Sequence, residues 1–432
     1  MPGDLARESP RMVALKRDLA AGQGDSLARF WEEMAALGTP LFEAIPDDPE
    51  GRYLLTFLWR GDADTRSVTL SGLQWPPGEK KDRQLEHLDG TDIWYSHPYE
   101  VRSAHRTTYR LVPNDPGQPD DPERDDVELH GLPDPLNRQP LIFPPDESHP
   151  ELQKMFGPRW TISIAAAPNA PTPTWTVMDP LAPAGRVEQL SFRSAVFANE
   201  RPIWVYVPPG YEKVASPWFM LLFDAWEYLP INRAPIVLDN LLAAGKIPPM
   251  VVAFVDSLDV WTVRTNEMQS NPMFPTFVSD ELVPWLASQY RFDVDPARRI
   301  VGGTSLGGLA AAFVAINRPE TFGNVLSQSG SFWAPGPGDA EYEGVARAIA
   351  SSPKLPIRFS LEVGLLEGMH KGSVASADNR PDIVIANRHL RTLLQAKGYD
   401  FDYRESPGAH DFGYWSITFP DRLVELIASR HQ

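Results

Sequence analysis

The sequence predicts an α/β domain preceded by an all-β domain. Three observations lead there. Past about Gly185, near-continuous apolar runs alternate with helical stretches; Phe219-Met220-Leu221-Leu222-Phe223 and Met250-Val251-Val252-Ala253-Phe254-Val255 are two of them. That is the pattern of a parallel sheet covered on both faces. Ahead of that point, short strand-like runs recur at intervals of very roughly ten to twenty residues with turn signals between them, as in a β-sandwich. Third, Arg299-Ile300-Val301 runs through Gly302-Gly303-Thr304-Ser305-Leu306-Gly307-Gly308 into the alanine-rich Leu309–Ala315, which reads as strand, turn and helix.

Taken in order, Ser9 to Leu37 reads helical, with Met12, Leu15, Leu19 and then Leu27, Phe30, Trp31, Met34 at helical spacing. Strands are expected over Arg52–Arg60, Val68–Leu70, Asp92–Tyr95 and Thr107–Val112, giving an immunoglobulin-like β-sandwich over residues 1–165 behind that helix. The acidic, Pro-rich Pro113–Glu128 reads as an exposed loop, and residues 166–184 as a Pro-rich interdomain linker. Residues 185–432 form the α/β domain. Its strands are expected at Ile203–Val207, Phe219–Phe223, Met250–Val255, Ile300-Val301, Ile357–Val363 and Asp400–Arg404. Its helices are expected at Ala234–Ala244, Asp280–Tyr290, Leu309–Asn317, Asp382–Lys397 and Asp421–Ser429. No internal repeat is found.

Composition narrows the function. A net charge of -17 argues against non-specific nucleic-acid binding and against docking on anionic membranes. Any anionic substrate needs local Arg or Lys against that field. With no Cys, disulfides, thiolate catalysis and Cys-ligated zinc are excluded. The first residues, Met1-Pro2-Gly3-Asp4, carry an early acid and no apolar core of a signal peptide, and no run reaches membrane-helix length; a cytoplasmic protein is the expectation.

Gly303-Thr304-Ser305-Leu306-Gly307 is a G-x-S-x-G nucleophile elbow in strand–turn–helix context, the signature of the α/β-hydrolase fold. The turn must expose the Ser hydroxyl, and the flanking glycines sit where strand and helix backbones crowd. A Ser hydroxyl needs a base beside it. In this fold the order along the chain is Ser, acid, His. Of His370, His389, His410 and His431, His410 fits best, in a glycine-containing loop directly after the last expected strand. His389 falls within an expected helix and reads as a surface residue. For the acid, the loop after Leu361-Glu362-Val363 offers Glu367, nearest the strand end and preferred, with Asp378 and Asp382 as alternatives. Asp411 reads as a residue that orients the loop. The oxyanion donors are expected to be the amide of Leu306 and that of Ala225 or Trp226, in the loop after Phe219–Phe223.

At these residues the chain resembles the enterochelin (enterobactin) esterases, which open the trilactone of ferric catecholate siderophores. The resemblance covers most of the chain. It rests on Ile203–Pro208, Leu222-Phe223-Asp224, Arg264–Asn271, Gly303–Gly308, Pro319–Gly323, Ser327–Trp333, His410-Asp411 and Trp415. In the N-terminal part it rests on Gly38–Leu41, Phe57–Gly61, Asp92–Tyr95 and Asp134–Asn137. The chain departs from the family in Ala409 and Ala225, where Gly is usual, and in the insert Gly368–Pro381. The resemblance implies a cytoplasmic serine esterase acting on a small-molecule siderophore, with iron arriving already chelated and no resident cofactor or metal site. It also implies that Arg264 pairs with the anionic ligand; the competing reading is a structural pair with Glu267. Trp226, Trp333, Tyr414 and Trp415 stand in loops at the expected ligand edge of the sheet, either holding catechol rings or packed. The alternatives are a feruloyl or acetyl esterase of carbohydrate, an acyltransferase of the same fold, and an inert hydrolase whose sandwich is an interaction domain.

Overall fold

The computed structural model describes residues 8–72, 80–115, 131–143, 160–259, 262–368 and 381–428. The chain divides into two compact units. One holds the chain up to Pro145 with Gln153–Pro171 and Pro407–Gly413, and the other holds Thr172–Ser406 and everything from Tyr414 onward.

In the first unit the helical N-terminal stretch is two helices, α1 (Pro10–Ala20) and α2 (Ser26–Leu37), with Gly22 at φ 72° between them. Ser9 caps α1 by accepting from the Met12 amide at 3.2 Å. Met12 and Leu15 join Phe30, Trp31 and Met34 in one buried cluster with Leu41, Leu58, Ile93 and Tyr95. Among the described residues ten strands follow: β1 (Leu41–Ala44), β2 (Tyr53–Thr56), β3 (Leu58–Arg60), β4 (Val68–Ser71), β5 (Glu86–His87), β6 (Ile93–Tyr95), β7 (Tyr99–Val101), β8 (Arg106–Pro113), β9 (Pro140–Phe143) and β10 (Trp160–Ala166). They pair antiparallel in sheets β1-β2-β7, β3-β6-β5 and β4-β8-β10-β9. The single strand expected over Arg52–Arg60 is thus two. The Phe57 amide leaves the ladder and donates to Ser96 Oγ at 3.0 Å, so the chain changes sheet there. The loop expected over Pro113–Glu128 lies largely outside the described residues.

The second unit is built on one mixed eight-stranded sheet. Its strands are β11 (Arg186–Ser194), β12 (Asn199–Val207), β13 (Trp218–Phe223), β14 (Met250–Val255), β15 (Arg299–Thr304), β16 (Asn324–Gln328), β17 (Arg358–Gly364) and β18 (Asp400–Ser406), in the order β11-β12-β14-β13-β15-β16-β17-β18. The β11–β12 and β12–β14 pairs are antiparallel; all others are parallel. The helices are α3 (Ala225–Tyr228), α4 (Ala234–Ala243), α5 (Thr262–Met268), α6 (Phe274–Thr276, a π-helical middle Phe277–Leu282, then Val283–Gln289), α7 (Leu306–Asn317), α8 (Gly344–Ser351), α9 (Ile383–Ala396) and α10 (Phe412–Ala428). One sheet face packs on α6, α7, α8 and α9 through a cluster that includes Phe223, Val301, Leu309, Val314 and Leu390. The other packs on α3, α4 and α10 through Leu222, Tyr228, Leu238, Phe254 and Phe419. The last helix begins well before the expected Asp421, because Pro420 lies inside it and does not mark its start.

Candidate active site

The centre of the second unit is the turn between β15 and α7. Ser305 has φ 53° and ψ −119°, a left-handed backbone that an L residue holds only when its surroundings enforce it. The surroundings can be named. A Cβ on Gly303 would stand 2.5 Å from the Gly307 carbonyl carbon, and one on Gly308 would stand 2.4 Å from Ser327 Oγ. At Gly307 the obstacle is the Asp224 carboxylate, 2.9 Å from where a Cβ would be. Neighbouring backbone completes the clamp. The Ser305 amide donates to the Gln328 carbonyl at 2.9 Å, and the Ser331 amide donates to the Ser305 carbonyl at 3.0 Å. The Ser305 and Ser331 hydroxyls lie 3.4 Å apart.

Beneath the turn is a buried charge network of which the sequence showed only fragments. Asp224 follows β13 at φ 65° and is fully buried. It accepts two hydrogen bonds from Arg264, at 2.6 and 2.7 Å, a bidentate pair. Arg264 therefore does not pair with Glu267. Glu267 is held instead by Arg201, at 2.6 and 2.8 Å, and both of those side chains are buried. Nearby, Glu227 accepts from Thr304 Oγ1 at 2.6 Å and from Asn232 Nδ2 at 3.3 Å. Burial, reinforced by the charge of Asp224, pushes the Glu227 carboxyl up to about 8. The Trp226 amide donates to Asp256 Oδ2 at 3.1 Å, so of the two amides expected to face an oxyanion this one already has an acceptor.

Glu367 lies in the short turn Leu365–Gly368 directly after β17 and is 2% exposed. Its Oε1 accepts from Ser329 Oγ and from the Gly364 amide, both at 2.6 Å. Of the alternative acids, Asp382 caps α9 by accepting from the Ile385 amide at 2.7 Å, and Asp378 lies outside the described residues, as do His370 and His431. His389 sits exposed on α9 with Nδ1 2.8 Å from Glu343. His410 is half-buried in the loop after β18. The next residue, Asp411, is 1% exposed and accepts from Thr107 Oγ1 at 2.8 Å and the Thr108 amide at 3.2 Å, which pins that loop within the first unit.

Trp226 and Trp333 are half-buried. Tyr414 and Trp415 are each only 4% exposed, so here their rings serve packing and offer no open face. Trp415 Nε1 donates to Ser329 Oγ at 2.9 Å. Among the described residues no cluster of three or more His, Cys, Asp and Glu side chains is arranged to hold a metal ion. No described helix is long and apolar enough to cross a membrane. The residues that sequence reasoning missed are Glu227, Ser329 and Ser331. The one available signal was the serine repeat Ser327-Gln328-Ser329-Gly330-Ser331 in the α/β domain.

The profile of the esterase family matches residues 194–426, which makes the chain a carboxylic ester hydrolase on an α/β sheet. The profile of the enterochelin esterase N-terminal domain matches residues 54–176. An iron(III) enterobactin esterase of Dickeya dadantii (strain 3937) is 30% identical over 424 residues, covering 89% of each chain. An iron(III) salmochelin esterase of Escherichia coli O6:H1 is 25% identical over 441 residues, 97% of this chain and 98% of that one. The crystal structure of a ferric enterobactin esterase from Salmonella typhimurium superposes with a TM-score of 0.72 at 23% identity, over 93% of this chain and 99% of that one, a likeness that speaks to the fold. The chain belongs to the enterobactin esterase family.

Proposed function

We propose that this chain hydrolyses the ester bonds of a ferric catecholate trilactone siderophore through a triad of Ser305, His410 and Glu367. The observation that carries the mechanism is the strained turn at Ser305, held at φ 53° between a buried strand and a glycine-opened helix. Such strain persists where the surroundings enforce it and clusters at active sites. Ser305 Oγ attacks the ester carbonyl as His410 takes its proton. The tetrahedral oxyanion is met by the Leu306 amide and by one from the turn after β13. There Ala225 is favoured, because the Trp226 amide is engaged by Asp256. His410 returns the proton to the departing alkoxide. Water, deprotonated by the same ring, then attacks the acyl carbonyl, and the ring returns that proton to Ser305 Oγ as the acyl bond breaks. Glu367 orients and stabilises the imidazolium.

The substrate class is supported by the match of both halves of the chain to the family and by the siderophores that its relatives are named for. The N-terminal match separates this reading from a carbohydrate esterase. A ferric tris-catecholate is an anion. The half-buried Trp226 and Trp333 are the side chains proposed to meet the catechol rings; Arg264 is proposed to face the anion only through what its bidentate pair with Asp224 leaves free. No resident cofactor is called for; iron arrives within the substrate. The same reading places the reaction in the cytoplasm, makes residues 1–165 an immunoglobulin-like sandwich and 166–184 a linker, and gives catalysis to an α/β-hydrolase domain over 185–432. Product analysis by mass tests it, using a ferric trilactone, its iron-free form and a simple aryl ester. Trilactone cleavage far above the aryl ester is the expected result. Turnover of the aryl ester alone would keep the hydrolase and discard the siderophore.

A further inference from the structure

We infer that Ser329 is a positioning residue for Glu367, and that the Trp415 indole fixes the direction in which the Ser329 hydroxyl donates. This rests on the reading of Glu367 as the triad acid. Ser329 follows β16 with φ 51°, and its amide donates at 2.6 Å to the Glu362 carbonyl on the neighbouring strand. Its backbone is therefore fixed on both counts, and its side chain is buried. A hydroxyl has one proton and two lone pairs, whereas an indole N–H can only donate. Trp415 Nε1, 2.9 Å from Ser329 Oγ, thus occupies an oxygen lone pair. The Ser329 proton is left to point at Glu367 Oε1, 2.6 Å away, a short charge-assisted bond to a carboxylate.

The second donor sharpens the point. The Gly364 amide, 2.6 Å away, reaches the same oxygen, Oε1. Two donors converging on one carboxylate oxygen restrain the carboxylate and commit Oε1, which leaves Oε2 for the role that the proposed triad gives this acid. The backbone that carries the indole is itself held, because Gln328 Nε2 donates to the Trp415 carbonyl at 3.1 Å and to Thr418 Oγ1 at 2.7 Å. Indole, hydroxyl and carboxylate form a relay of orientation in which no proton needs to move. It gives Trp415 a task behind the acid, consistent with its 4% exposure.

The test is a kinetic cycle on the full chain with a trilactone substrate. Ser329→Ala removes one hydrogen bond to a charged group and should lower kcat roughly 10- to 100-fold with KM unchanged. Trp415→Phe keeps an aromatic side chain, though a smaller one, and removes the donor, so it should lower kcat in the same sense. It also guards against misfolding of the first variant. A less well oriented carboxylate stabilises the imidazolium less, so the acid limb of the kcat/KM profile should move to lower pH in both variants. In a Glu367→Gln background, Ser329→Ala should cost nothing further. An equal loss in both backgrounds would make the role of Ser329 merely structural and overturn the inference. So would an unchanged kcat in Ser329→Ala beside an impaired Glu367→Gln. If Glu367→Gln itself turns over normally, the assignment of the acid fails first and the inference falls with it.

Discussion

His105 in the first unit and Glu227 in the second are both buried and both uncharged near neutrality, yet they answer pH in opposite senses. Burial alone pushes the His105 imidazole down to about 3. Burial and the charge of Asp224 push the Glu227 carboxyl up to about 8. Each unit has taken a titratable group out of water and kept it neutral, because a neutral group costs far less to bury than a charged one. The surroundings differ. His105 lies buried in the turn between β7 and β8. Glu227 lies under the elbow and holds Thr304, the residue before Ser305. The comparison teaches that burial makes these two groups weaken the fold at opposite ends of the pH range, His105 toward acid and Glu227 toward base.

The largest expected effect concerns the site that Glu227 underlies. Ser305→Ala should reduce ester hydrolysis by several orders of magnitude in steady-state assays while both units stay folded. Next comes the buried pair that flanks it. Arg264→Met strands Asp224 as an uncompensated buried charge and should cost about 3–5 kcal/mol in urea unfolding of the second unit. Adding Asp224→Asn, which removes the charge and tolerates the φ of 65°, should recover much of that loss; failure to recover would mean that Arg264 acts through something other than the charge of Asp224.

The pH predictions bear on the comparison directly. A raised carboxyl leaves the folded state holding a proton that the unfolded chain has lost. The contribution of Glu227 is therefore full below its ordinary value of 4.5 and falls away as pH rises to about 8. The slope is at most about 1.4 kcal/mol per pH unit. Glu227→Gln should flatten it. For His105 the unfolded chain holds the extra proton, so its contribution is full above 6.5 and is lost as pH falls toward about 3. His105→Phe should flatten that limb. Hydrogen exchange read separately on Arg106–Pro113 and Arg299–Thr304 distinguishes the two units. Parallel rather than opposite trends would break the comparison.

The same contrast explains what the sequence showed and what it hid. The buried parallel strands β13 and β14 were legible because a strand covered on both faces must be apolar throughout. The turn at Ser305 was legible because its glycines have a steric cause. Strand β16 was not, since Asn324, Ser327 and Gln328 are polar. Asn324 and Gln328 are tolerated in the core because they hydrogen-bond to the carbonyls of Ala297 and Arg299 and to Trp415 and Thr418. Strand β11 escaped because an edge strand with a wet face alternates only weakly. The pairing of Arg264 with Asp224 and of Arg201 with Glu267 was hidden for a different reason. Partners that are 40 and 66 residues apart leave no local pattern, whereas Arg264 and Glu267, three apart, suggested a pair that the fold does not make.

The account turns on Ser305 as the nucleophile, and the most direct measurement is to map the adduct left by a fluorophosphonate probe. A single phosphonylated peptide carrying Ser305, absent from Ser305→Ala and matched by loss of trilactone hydrolysis in the labelled protein, is the predicted result. An adduct on another residue, or full trilactone turnover by Ser305→Ala, would contradict it.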